Sequence, residues 1–111
     1  MTVQSDVLIS SSRVPSAAAN SYTSTGRKTI VDIYTVTNTS GAGATFSAWV
    51  VPASGTPDDT NKIIDVQTVA SHECLPIEGL IGRRLNAGES IYTEASIADV
   101  LTHRAEGRGV T

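Results

Sequence analysis

From Tyr22 onwards, runs of apolar and β-branched residues with a two-residue period are separated by clusters of Gly, Pro, Asn and Asp, which predicts short strands joined by turns. Residues 29–38 (Thr-Ile-Val-Asp-Ile-Tyr-Thr-Val-Thr-Asn) and 44–51 (Ala-Thr-Phe-Ser-Ala-Trp-Val-Val) are rich in the residue types that suit a pleated surface. The Asn38-Thr39-Ser40-Gly41-Ala42-Gly43 turn between them predicts an antiparallel hairpin with a longer loop. Pro52 stops the second strand, and Ser54-Gly55-Thr56-Pro57-Asp58-Asp59 reads as a surface loop. The run 61–69 is short enough for strand or helix, and its Val, Ile and Thr content favours a strand. Further short strands are expected over 72–77, where Pro76 favours a sheet edge, from Leu80 towards Leu85, over 90–95 after the Asn86-Ala87-Gly88-Glu89 turn, and over 100–105. The tail 106–111 reads as polar and loose.

Residues 1–20 differ. Val3, Val7, Leu8 and Ile9 alternate with polar residues, then the segment passes into Ser10-Ser11-Ser12-Arg13-Val14-Pro15 and small residues. Such a composition offsets little ordering entropy, so the expectation is an extended N-terminal arm over 1–20, ordered against a neighbour, followed by a single domain over 21–111. The fold class expected is all-β: a small antiparallel β-sandwich of Greek-key or jelly-roll type with seven to eight short strands.

Composition narrows the functional classes. The 111 residues suit one domain, and a net charge of −3 disfavours nucleic acid as the main partner, because neutralising phosphates needs a basic face. No stretch approaches the ~20 apolar residues of a membrane-spanning helix. A cationic start with an apolar secretion core is also lacking, so synthesis in a cytoplasm is expected. The single cysteine, Cys74, forms no intrachain disulfide.

Candidate chemistry is sparse. His72 and Cys74 are two apart and would share a strand face, with no helix N-terminus to activate the thiol; a small buried thiol beside a surface histidine is the expectation. His72, Glu73, Cys74 and His103 supply one loose pair where structural zinc wants four ligands. Asp58-Asp59 reads as solvated rather than as a calcium loop, and Asn38-Thr39-Ser40 as a turn rather than a glycosylation site. No catalytic residue, cofactor or metal is therefore expected. Trp49 is open to three readings: core, interface anchor or ligand platform.

Four local patterns carry a resemblance: Gly26 to Ile30, Asn38-Thr39-Ser40-Gly41, Trp49-Val50-Val51-Pro52, and Ala87-Gly88-Glu89-Ser90-Ile91. Over Tyr22 to Val110 the chain resembles small virion proteins of tailed phages. Its length and N-terminal segment resemble the capsid decoration or staple protein of short-tailed phages of the epsilon-fifteen type. The resemblance implies a non-enzymatic structural protein, made in the bacterial host, on the outer capsid surface of the virion. There it would clamp neighbouring major capsid protein subunits, as a homodimer or a lattice-assembled array. Val7, Leu8, Ile9 and Arg13 are the expected arm contacts; Trp49, Arg83 and Arg84 complete the expected interface. The alternative is a tail or neck accessory, or a receptor- or glycan-binding module.

Overall fold

Nine strands lie among residues 2–111, which the structure, a computed structural model, describes. They are β1 (Val3–Arg13), β2 (Ala19–Thr23), β3 (Lys28–Asn38), β4 (Ala44–Val51), β5 (Lys62–Val69), β6 (Cys74–Pro76), β7 (Arg84–Leu85), β8 (Ser90–Ala95) and β9 (Leu101–Val110). One sheet has the order β1-β9-β3-β6, with β7 also on β3, and the other has the order β2-β8-β4-β5. Every pairing is antiparallel. The pairs β1·β9, β2·β8, β3·β6 and β4·β5 nest one inside the next and alternate between the sheets. This is one long hairpin rolled into a sandwich, the jelly-roll arrangement.

Strand β9 explains why the sheets pack. Leu101, His103, Ala105, Gly107 and Gly109 are buried, whereas Thr102, Arg104, Glu106, Arg108 and Val110 reach the other face. The core joins Val31, Tyr34 and Val36 of β3 to Ala44, Phe46 and Ala48 of β4, with Ile91, Leu101 and Leu80 around them. Tyr34 and Phe46 meet with ring centroids 5.9 Å apart. Each such buried side chain contributes ~1.5–3 kcal/mol from removal of apolar surface. Branched aliphatic side chains, among them Leu8, Ile9, Val69, Ile77 and Leu85, fill most of the remaining space between the sheets, with Ala95 and Ala105 between them.

Four expectations are corrected. First, residues 3–13 are not an arm: they form the edge strand β1, with Leu8, Ile9 and the following Val14 in the core. A bulge between Val7 and Ile9 is what buries two consecutive apolar residues, and the serines after them sit on a sheet edge where polar side chains are solvated. Second, β3 and β4 do not form a hairpin, since they belong to opposite sheets. Third, the tail 106–111 is not loose; β9 runs through Val110 and Thr111 exchanges backbone hydrogen bonds with Thr2. Fourth, Leu80 to Gly82 is a turn rather than a strand, with Leu80 buried and Gly82 at a φ of 81°.

Asn38 turns the chain from one sheet to the other. Its side chain is fully buried, and its Nδ2 donates to the Ala42 carbonyl at 2.8 Å and the Val69 carbonyl at 3.1 Å. Its Oδ1 accepts from the Ser40 N–H at 2.9 Å and the Ser40 hydroxyl at 2.8 Å. One side chain thus ties the end of β3, the 39–43 turn and the end of β5. Asn38→Ala removes all four bonds and strands buried carbonyls, so a loss of about 3 kcal/mol is expected. That is a drop of roughly 13 °C in melting temperature for a domain of this size, read by thermal unfolding.

Candidate docking face

The outer face of the first sheet is built by its strand register. Val3, Val110 and Lys28 lie in one cross-strand row, and Val7, Glu106 and Ile33 in another. Between them, Ser5, Arg108, Ile30 and Arg84 form a row across four strands. Val3, Val7 and Ile33 are 53%, 44% and 50% exposed, the most open large apolar residues of this sheet. Ile33 reaches solvent because of a bulge between Val31 and Ile33, which turns two successive residues, Asp32 and Ile33, outward before Tyr34 returns to the core.

A shallow depression of about 490 Å³ lies between the valine and isoleucine, lined by Ser5, Asp6, Val7, Asp32, Ile33, Glu106 and Gly107. Ion pairs surround it. Arg108 Nε lies 3.1 Å from Asp32 and Arg104 Nε 2.9 Å from Glu106 on this face, while Arg27 Nη2 pairs with Asp6 at 2.9 Å on the inner side of β1. Hydrogen bonds to Tyr22 and then to Asp6 raise the Arg27 pKa further. Exposed pairs of this kind contribute ~0–1 kcal/mol each, so they pattern the surface more than they stabilise the fold. The face offers apolar contact flanked by both signs of charge.

The residues expected at an interface divide on this geometry. Val7 and Arg84 lie on the face, and Arg84 borders a second small cleft of about 190 Å³ with Lys28, Ile30 and Val110. Arg13 closes the far end of β1, its Nη1 donating to the Thr102 hydroxyl at 3.1 Å. Arg83 is turned away, donating to the Gly79 carbonyl at 3.0 Å. Leu8 and Ile9 belong to the core and are unavailable to a partner. Trp49 sits on the opposite sheet, paired across strands with Tyr92, 8% exposed and covered by the Lys62 ammonium 5.1 Å from the ring centroid. It is a closed surface anchor, not an open platform.

Ile30, Asp32, Ile33 and Val110 were not expected at an interface from the sequence. The signal was present in Ile33-Tyr34: two adjacent apolar residues inside an alternating strand mark a bulge, and a bulge leaves one of them outside.

The titratable residues take other roles. Tyr34 and His103 meet inside the sandwich, with the Tyr34 oxygen 2.7 Å from His103 Nδ1. Burial pushes the Tyr34 hydroxyl far above its ordinary range and lowers His103 to about 4. Burial therefore keeps the phenol protonated and the ring neutral, and the two share this one hydrogen bond. Cys74 corrects its expectation: it is exposed, on the edge strand β6, and accepts from the Thr37 hydroxyl at 3.3 Å. His72 occupies a turn at a φ of 58°, closed by Glu73 accepting from the Ala70 N–H at 2.8 Å. Asp58 likewise caps its loop, accepting from the Thr60 hydroxyl and N–H, which hold its carboxyl below the usual range. Among the described residues no three His, Cys, Asp or Glu side chains converge as a metal site requires.

The fold and this face define a small jelly-roll sandwich with a mixed apolar and charged sheet surface. No protein-family model matches the chain, and no curated protein matches it significantly.

Proposed function

We propose that this protein is a non-enzymatic virion component that decorates a phage capsid, docking on the outside of the shell and clamping neighbouring major capsid subunits. The observation that carries the reading is the outer face of the first sheet, where Val3, Val7 and Ile33 stand exposed among the Asp32–Arg108 and Glu106–Arg104 pairs. The resemblance of the four local patterns to small virion proteins of tailed phages suggests the partner class; jelly rolls recur in viral shells, and a fold alone assigns no role. A clamp that binds only across assembled subunits stabilises the assembly by linkage, and many weak contacts in a lattice act together.

The test is cosedimentation of the purified protein with empty shells of the phage that carries it. Wild type is expected to bind saturably, and the double variant Val7→Lys/Ile33→Lys, altered only at exposed positions, to bind at least ten-fold more weakly while keeping its circular dichroism. Absence of binding to shells, or equal binding by the variant, removes the proposal. Retention on tails or on host glycans instead would favour a receptor-binding module.

A further inference from the structure

The sandwich has four sheet edges, and three carry features that block further pairing. Edge β6 is three residues long and ends at Pro76. Edge β5 carries a bulge around Val66, whose φ of 54° turns the backbone out of strand geometry and whose N–H is taken by the Ser47 hydroxyl at 3.0 Å. Edge β2 has five residues and a register shift between Asn20 and Tyr22. Bulges, prolines and short lengths are the usual protections of an exposed edge.

The first half of β1 has none of them. From Val3 to Val7 its register with β9 is unbroken, and it contains neither Lys nor Pro. Its one charge, Asp6, is already paired with Arg27. Thr2 and Thr111 exchange both of their backbone hydrogen bonds, at 3.1 and 3.0 Å. Antiparallel ladders alternate, so Gln4 and Asp6 also point their backbone groups at β9, and Val3, Ser5 and Val7 point theirs away from the molecule.

We propose that this edge pairs with the same edge of a second copy, antiparallel about a two-fold axis at Ser5. In that register Val3 of one copy faces Val7 of the other, Ser5 faces Ser5, and Gln4 faces Asp6. All three outward-pointing residues then form hydrogen-bonded pairs, two bonds per pair. On the outer face the two exposed valines cover each other as a cross-strand apolar pair, and on the inner face an amide meets a carboxylate. Moving the axis one residue towards Asp6 sets Asp6 against Asp6 and runs Val3 into the Ile9 bulge. Moving it one residue towards Gln4 loses a hydrogen-bonded pair. The segment is therefore self-complementary in a single register, as an isologous contact requires. The dimer joins the two outer faces into one continuous sheet. The pairing stands whether or not that face docks on a shell.

Cysteine scanning tests the pairing directly, in a Cys74→Ser background that removes the native thiol. Ser5→Cys places two thiols opposite each other on adjacent strands, within the Cα separation that a disulfide spans. It is expected to cross-link under mild oxidation at least ten-fold faster than Ser10→Cys, another exposed site on the same strand with no counterpart in this register. Ser5→Pro removes an N–H that no intramolecular bond uses, so it should keep the fold by circular dichroism and abolish association. Sedimentation of wild type should show a concentration-dependent shift from monomer to twice that mass. Equal cross-linking at both positions, dimerisation that survives Ser5→Pro in the folded variant, or a wild type that stays monomeric at hundreds of micromolar each overturns the inference.

Discussion

Replacing Gly107 by Ala should destabilise the domain more than any other single methyl addition to its glycines, with an expected loss of about 3 kcal/mol or more. Gly107 lies on the inward side of β9, where β3 bulges between Val31 and Ile33. A Cβ there would stand 2.2 Å from the Ile30 carbonyl oxygen and 2.9 Å from Leu8 Cδ1. The first of these is backbone, held in the β3–β9 ladder, so relief requires the two central strands of the sheet to part. Gly109 makes a useful contrast. A Cβ there would meet the Arg27 side chain at 2.3 Å, but that chain is flexible and can swing away at the cost of its surface contact with Asp6. Gly41 has open space and no left-handed φ, so Gly41→Ala should change stability by less than ~1 kcal/mol, through the unfolded chain alone. Urea midpoints of the three variants check the order Gly107, Gly109, Gly41. A Gly107→Ala protein as stable as Gly41→Ala would mean that β3 and β9 do not approach so closely.

The same glycines show where sequence stopped being informative. Gly107 and Gly109 read as a loose tail because glycine weakens a strand by propensity; here it is the residue that lets β9 run between β1 and β3. The strand character of β3, β4, β5 and β8 was legible, since it is set by local β-branched and aromatic content. Partner choice was not. The first pair closes Val3 against Val110 across nearly the whole chain, and no local pattern encodes that. The turn at Asn38 looked like a hairpin for the same reason: its hydrogen bond to Val69, which sends the chain to the other sheet, is a contact with a residue far along the sequence. For the candidate face, Val7, Leu8 and Ile9 were read together as arm contacts, because a bulge, not composition, decides which of them turns inward.

The second large effect is expected on acidification. His103 is 2% exposed and neutral, with burial lowering its pKa to about 4 from an ordinary 6.5. No other ionisable group is hydrogen-bonded to it besides Tyr34, from the neighbouring strand β3. Above pH 6.5 neither the folded nor the unfolded chain protonates this ring, and its full contribution to stability is present. As the pH falls below 6.5 the unfolded chain takes up the proton first, so stability declines; below about 4 both states are protonated and the decline ends. Integrated over that window the loss is about 3 kcal/mol at 1.36 kcal/mol per unit. It precedes in pH the effect of Asp58, whose lowered carboxyl pKa gives a stability that is lost only as the pH falls below the ordinary carboxylate range. The physical cost is a charge. Protonation of the ring places it between the Phe46-bearing and Leu101-bearing sheets, where the hydrogen-bond partner is the neutral Tyr34 hydroxyl. Chemical denaturation at pH 7 and pH 4 measures the loss in wild type. His103→Gln is less stable at neutral pH, because it gives up packing against Tyr34, and its stability should be flat across the window. Parallel declines in the two proteins would assign the acid sensitivity to surface carboxylates; a decline in wild type alone assigns it to the buried ring.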